Sequence, residues 1–267
     1  MRAGSARRPL TIALALCLCA LAGPAAWAEP VKVRVAEGPL YSVLVLKSVA
    51  GAVLAHGEIL QTLRRGLVES RLTFRFRDSS LFDETVTFSQ QGVFALTSYR
   101  LVQRGPSFPG AAEVTFERAS GQYRARIQEA PDKAPEVLTG RLELPADVYN
   151  GMTSTLLKSL PAKEIAHAHL LAFTPKPRVL TLTLTPDRED AFAVGPVTRK
   201  AIRYHVKPEL GGMLGVVAAV IGKEPPDLYY WIASGPAPAF MKFEGPFYVN
   251  GPVWRIEPGG PRWLPPR

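Results

Sequence analysis

The sequence predicts a mainly β protein, a strongly curved antiparallel sheet or incomplete β-barrel carrying one or two short helices. Three observations predict it. Apolar and polar residues alternate at a period of two in several windows, the pattern of a strand with one buried and one wet face. Proline and glycine punctuate nearly every junction between those windows. The extended stretches number about fourteen, more than a twisted open sheet holds without curling or closing.

The first element along the chain reads as a leader. Arg2, Arg7 and Arg8 precede an acid-free apolar run from Leu10 to Leu21, and Gly23, Pro24 and Ala26-Trp27-Ala28 follow it. A run of that length suits a signal-peptide core and is too short to span a bilayer. Cleavage after Ala28 is expected, leaving residues 29–267 as a single β-rich domain, periplasmic or secreted. A twin-arginine signal at Arg7-Arg8 and a lipid anchor on Cys17 or Cys19 are the alternatives. Pro9 follows the arginine pair and a leucine precedes each cysteine, and neither suits those routes.

The clearest strands are Leu72, Phe74 and Phe76 set between Arg71, Thr73, Arg75 and Arg77, and Leu180, Leu182 and Leu184 set between threonines. Gln90-Gln91-Gly92 separates a strand at 85–88 from a long one at 93–102. Ala119-Ser120-Gly121 reads as a hairpin turn between the strand around Val114 and Phe116 and the strand of Tyr123, Ala125 and Ile127. Antiparallel hairpins are the economical topology. Val148, Met152, Leu156 and Leu160 recur at four-residue spacing, so Pro145 to Leu160 reads as one amphipathic helix with Gly151 in its interior. Further strands are expected near 165–174, 178–185, 197–206, 227–233, 238–243 and 247–257. Gly211 to Gly222 fits either a buried strand or a short helix.

Removing residues 1–28 takes away both cysteines and three arginines, leaving 29 basic and 23 acidic residues and no thiol. Disulfides, thiolate zinc sites and thiol nucleophiles are thereby excluded from the mature chain, and stability must come from a packed core. A charge near +6 serves solubility. Nucleic acid is a poor partner outside the cytoplasm, whereas anionic head groups and acidic polysaccharides remain open. No transmembrane span is expected in the mature chain.

Four stretches carry a resemblance: Phe74 to Thr85, Leu101 to Pro109, Leu144 to Met152, and Glu244 to Pro246 together with Gly251 to Glu257. In these the chain resembles an uncharacterised family of secreted bacterial proteins, over roughly residues 40 to 257. The resemblance implies export and carries no activity, ligand or functional residue. More distantly the layout is similar to periplasmic families built on a curved antiparallel sheet, and to envelope carriers of lipids, an analogy of fold alone.

Catalytic patterns are sparse. His167 and His169 would share one face of a strand, as two ligands of one metal do, with Glu164 or His205 as a third. The sequence has no HExxH, no nucleophile elbow and no phosphate-binding glycine loop. Asp78 to Glu84 reads as a solvated turn closed by local hydrogen bonds. Arg71, Arg75 and Arg77 on one strand and Arg124 and Arg126 on another would make a cationic patch if those strands are close. Tyr230, Trp231 and Trp254 stand out among carboxyl-terminal aromatics fit to line a cavity or fill a core.

A non-enzymatic role without cofactor is therefore expected. The first expectation is a carrier holding a lipid or other amphipathic envelope molecule, with the five arginines and Tyr230, Trp231 and Trp254 as its site. The alternatives are an assembly factor that recognises another protein through an open sheet edge, and a metal-dependent hydrolase using His167 and His169.

Overall fold

The computed structural model describes residues 29–174, 176–209, 227–248 and 250–259. The expected leader at 1–28 and the ambiguous segment Gly211 to Gly222 lie outside them. Eight strands come first: β1 (Leu40–Ser48), β2 (Val53–Arg64), β3 (Leu67–Phe76), β4 (Leu81–Gln91), β5 (Val93–Arg104), β6 (Ala111–Glu117), β7 (Gln122–Gln128) and β8 (Glu136–Arg141). A short helix α1 (Thr153–Ser159) precedes β9 (Ala166–Thr174), β10 (Lys176–Val194), β11 (Val197–Glu209), β12 (Leu228–Ala233), β13 (Phe240–Gly245) and β14 (Trp254–Pro258).

All fourteen belong to one sheet, in the order β8-β7-β6-β5-β4-β3-β2-β1-β14-β13-β12-β11-β10-β9. Two meanders are thus zipped together where β1 pairs antiparallel with β14, and the sheet ends at β8 on one side and β9 on the other. The expected curved, unclosed antiparallel sheet is what forms. Its curl is visible in one contact: Tyr123 of β7 and Phe173 of β9, near opposite ends of the order, have ring centroids 5.7 Å apart. Bulges at Leu46/Lys47, Thr87/Phe88, Pro186/Arg188 and Trp231/Ile232 add local twist of the kind that bends a sheet this long.

Period-two alternation sends one set of side chains to the inner face. A single row of register partners runs Tyr204, Tyr230, Phe243, Ile256, Leu46, Ala55 and Phe76 across seven strands. This face is filled by two clusters. One gathers Val86, Phe88, Phe94, Phe116, Leu184 and Tyr204 with Met152, Leu156 and Leu157 of the α1 region, and the other gathers Phe74, Phe76, Phe82, Phe108, Phe243 and Trp254. An amino-terminal strap lies against the first: Val33 donates to Gly92 O, Phe94 donates to Val31 O, and Tyr149 Oη accepts from Val31 N at 2.9 Å. Glu37 ends the strap in a largely buried ion pair with Lys158 of α1. Among the described residues no helix is long and apolar enough to cross a membrane.

The helix is shorter than the spacing of Val148, Met152, Leu156 and Leu160 suggests. Gly151 adopts φ +71°, a left-handed conformation that no helix interior contains, so the turn at 150–152 starts the helix afresh at Thr153. Residues 147–150 instead give their backbone to β9. Val148 and Met152, ahead of the helix, are as buried as Leu156 within it, which is why the apolar spacing outruns the helix.

Candidate functional site

The two ends of the sheet are treated differently. At β9, residues 147–150 run alongside and cap the middle of the strand through a parallel bridge: His169 N donates to Asp147 O at 2.9 Å, and Tyr149 N donates to His169 O at 2.8 Å. The Asn150 amide completes it, donating to Leu171 O and accepting from Leu171 N, both at 2.8 Å. At β8 no described residue plays that part. Leu142 N donates to Gly121 O in the β7–β8 register, and antiparallel pairs alternate, so Leu138 and Gly140 bond to β7 while the amides of Val137, Thr139 and Arg141 point outward. Every residue of β8 except Leu138 is exposed. An unpaired strand of this kind is a template for another strand.

The outer face beside that edge is basic. Register places Arg124 next to Thr139, Arg126 next to Val137, and Arg141 at the end of β8 on the same face. All three arginines are exposed. The other expected arginines lie elsewhere. Arg71 makes a bidentate pair with the buried Asp83, Nε to Oδ1 at 2.9 Å and Nη2 to Oδ2 at 2.5 Å. Arg75 and Arg77 are exposed on the same outer face. Three strands separate β3 from β7, about 19 Å at the usual strand spacing. The five arginines share a face without forming one patch.

The expected aromatics also divide. Tyr230 and Trp254 face inward, whereas Trp231, one residue on, must face outward. There its Nε1 donates to Asp190 Oδ2 at 2.7 Å and Lys242 Nζ lies 4.1 Å from its ring centroid. Trp254 packs among Phe76, Phe108, Phe247 and Tyr248. His167 and His169 share a strand face as expected. His169 Nδ1 meets Asp147 Oδ2 at 2.6 Å and His167 Nδ1 meets Thr183 Oγ1 at 3.2 Å. No group of three or more metal-capable His, Cys, Asp or Glu side chains forms among the described residues. The turn after β3 is closed as expected, with Ser80 N donating to Asp78 Oδ1 and Ser107 Oγ to Asp78 Oδ2, while Asp83 and Glu84 belong to β4.

Glu84, expected in a solvated turn, lies instead on the inner face of β4, opposite Leu72. Its Oε1 accepts from Tyr99 Oη at 2.8 Å, and a Cβ added to Gly151 would sit 3.3 Å from its Cδ. Phe82, Glu84, Val86 and Phe88 share a parity, so the signal was present in the alternation of β4. Burial raises the Glu84 carboxyl above its ordinary range, and the Tyr99 hydrogen bond only partly opposes this. Burial and the nearby Glu84 also raise Tyr230 well above a normal phenol. Because burial penalises the ionised form, the native state loses stability as pH rises from the ordinary glutamate value through the raised one. Glu84→Gln retains an acceptor for Tyr99 and does not titrate. The expected result is a melting temperature at pH 7 equal to or above wild type, the difference closing below about pH 4. Thermal melts of both proteins across that range check it, and a Gln variant less stable at pH 7 would contradict it.

Set against known proteins, the chain matches no family model, no curated protein and no solved structure.

Proposed function

We propose that the chain is a non-catalytic protein of the cell envelope that binds another protein by accepting its extended segment as a fifteenth strand beside β8. The observation that carries this reading is the contrast between the two sheet ends: β9 is capped by residues 147–150, and β8 offers the outward amides of Val137, Thr139 and Arg141. Strand addition draws its affinity from main-chain hydrogen bonds and its selectivity from alternate side chains, which requires only such an edge. The carrier reading needs a cavity on the inner face, and there two side-chain clusters occupy the described part of the sheet. Strand addition therefore stands ahead of ligand carriage, and the hydrolase reading behind both.

The test places a photo-crosslinking amino acid at Val137 in the full chain, in its own host, with and without Thr139→Pro. Proline at 139 removes an outward donor and leaves the β7–β8 bonds intact, as edge strands tolerate. The expected result is one discrete adduct with another protein, reduced about tenfold or more by Thr139→Pro, the consequence of losing at least one backbone bond and the close approach of a strand. No adduct, or one indifferent to Thr139→Pro, overturns the reading.

A further inference from the structure

We infer, resting on the strand-addition reading, that the segment received by β8 carries carboxylates at alternate positions, on the side that continues the outer face of the sheet. Arg124 has Thr115 and Thr139 as its cross-strand neighbours, so no acid flanks it in register. Arg126 has Val137 on one side and Glu113 on the other, and Glu113 lies 3.9 Å from Arg100. Arg141 stands on the open strand itself. Among the described residues no carboxylate pairs with any of the three. An open depression of about 470 Å³ draws Arg124, Thr139 and Arg141 into one hollow at the end of the sheet.

The surrounding acids do not supply this charge balance. Glu136 has inner-face parity and Glu143 lies beyond the end of β8, while Glu117, which lines the same hollow, stands two strands in from Arg141 and pairs with none of the three arginines. A strand added to β8 would run about 4.8 Å from it and about 10 Å from β7. Its outer-face residues would sit directly beside Val137, Thr139 and Arg141, with Arg124 and Arg126 reaching over the small or short side chains between. Opposite charges in that cross-strand position are favourable and like charges unfavourable. A basic strand would therefore be rejected, and a strand with acids on both faces would push a carboxylate toward the apolar side lined by Tyr123 and Leu138.

The experiment titrates the full chain with labelled peptides of about ten residues, long enough to span β8. One alternates Glu with Val, one alternates Gln with Val, and one has the first peptide's composition with its acids in a block. The alternating acidic peptide should bind about tenfold tighter than the Gln peptide, as exposed ion pairs with one arginine on β8 and two reaching from β7 allow. That advantage should vanish in Arg124→Gln/Arg126→Gln, and in salt raised to about 0.5 M. The blocked peptide should bind no better than the Gln peptide. Equal binding of Glu and Gln peptides, lost in Thr139→Pro, overturns the carboxylate inference and leaves strand addition intact. Acidic binding that survives Thr139→Pro overturns strand addition, and failure of every peptide overturns both. Circular dichroism confirms that each variant folds, and Val137→Pro, which removes a second outward amide, replaces Thr139→Pro if that chain does not.

Discussion

Trp254→Ala should lower the melting temperature by about 10 °C, a loss of about 3–5 kcal/mol. The indole is buried and lies 5.1 Å from the Phe247 ring centroid, 5.4 Å from Phe76, 5.9 Å from Phe108 and 6.1 Å from Tyr248. Those rings come from β3, from the β5–β6 connection and from the segment before β14, so one side chain ties together parts of the sheet that are remote in sequence. Truncation leaves a void lined by aromatic carbon, which water does not fill favourably. The position also lies on β14, beside the β1–β14 pairing that joins the two meanders. Trp254→Phe, which keeps an aromatic ring at the centre, should lose less than half as much. A Trp254→Ala protein that melts within about 2 °C of wild type would mean that this cluster does not pack as a core. The inner face would then be available to an apolar ligand, and carriage would return to first place over strand addition.

What the alternation of the sequence revealed, and what it hid, follows from which face of each strand carries the information. In β3 the inward Leu72, Phe74 and Phe76 alternate with outward arginines, so both the strand and its buried face were legible. In β12 every residue from Leu228 to Ala233 is apolar or aromatic, and alternation is silent. Tyr230 and Trp231 looked alike there, although adjacent strand residues must point to opposite faces. The outward Trp231 is buried by Lys242 and Asp190, polar neighbours brought by β13 and by the long hairpin arm of β10, a long-range contact that local pattern does not encode. β8 escaped for the opposite reason. Its residues are almost all exposed, so Glu136 to Arg141 lacks the apolar parity that marks a half-buried strand. The same absence of a buried partner is what makes it an edge, and so the feature of greatest functional interest left the weakest trace. The arginines were readable as an outer-face set, but their spacing across the sheet depends on strand order, which places β4, β5 and β6 between the two groups.

Gly57→Ala should be the most damaging one-carbon addition inside any strand of the sheet. Gly57 lies in β2, where its register partners are Leu44 of β1 and Phe74 of β3, and the Phe74 ring lies over the space its side chain would occupy. A Cβ built there falls 2.4 Å from Phe74 Cδ1 and 2.4 Å from the Thr73 carbonyl oxygen. A ring in a looser site would turn aside, but Phe74 is fully buried and packs against Phe247 at 5.9 Å. The carbonyl belongs to the backbone of the neighbouring strand and has no rotamer to change. Relief must come from separating β2 from β3 or from bending one of them, in the middle of the sheet, and overpacking of that kind costs about 3 kcal/mol or more. For a domain of this size the melting temperature should fall by roughly 6–12 °C. Gly38→Ala is the matched control: it adds the same methyl group where nothing lies within 4 Å and the backbone is not left-handed, and should change stability by less than about 0.5 kcal/mol. Thermal melts of the two variants decide the matter. Equal stability of Gly57→Ala and Gly38→Ala would mean that β2 and β3 do not approach as closely as the inner-face register requires, and with it the position of Phe74 in the core would fall.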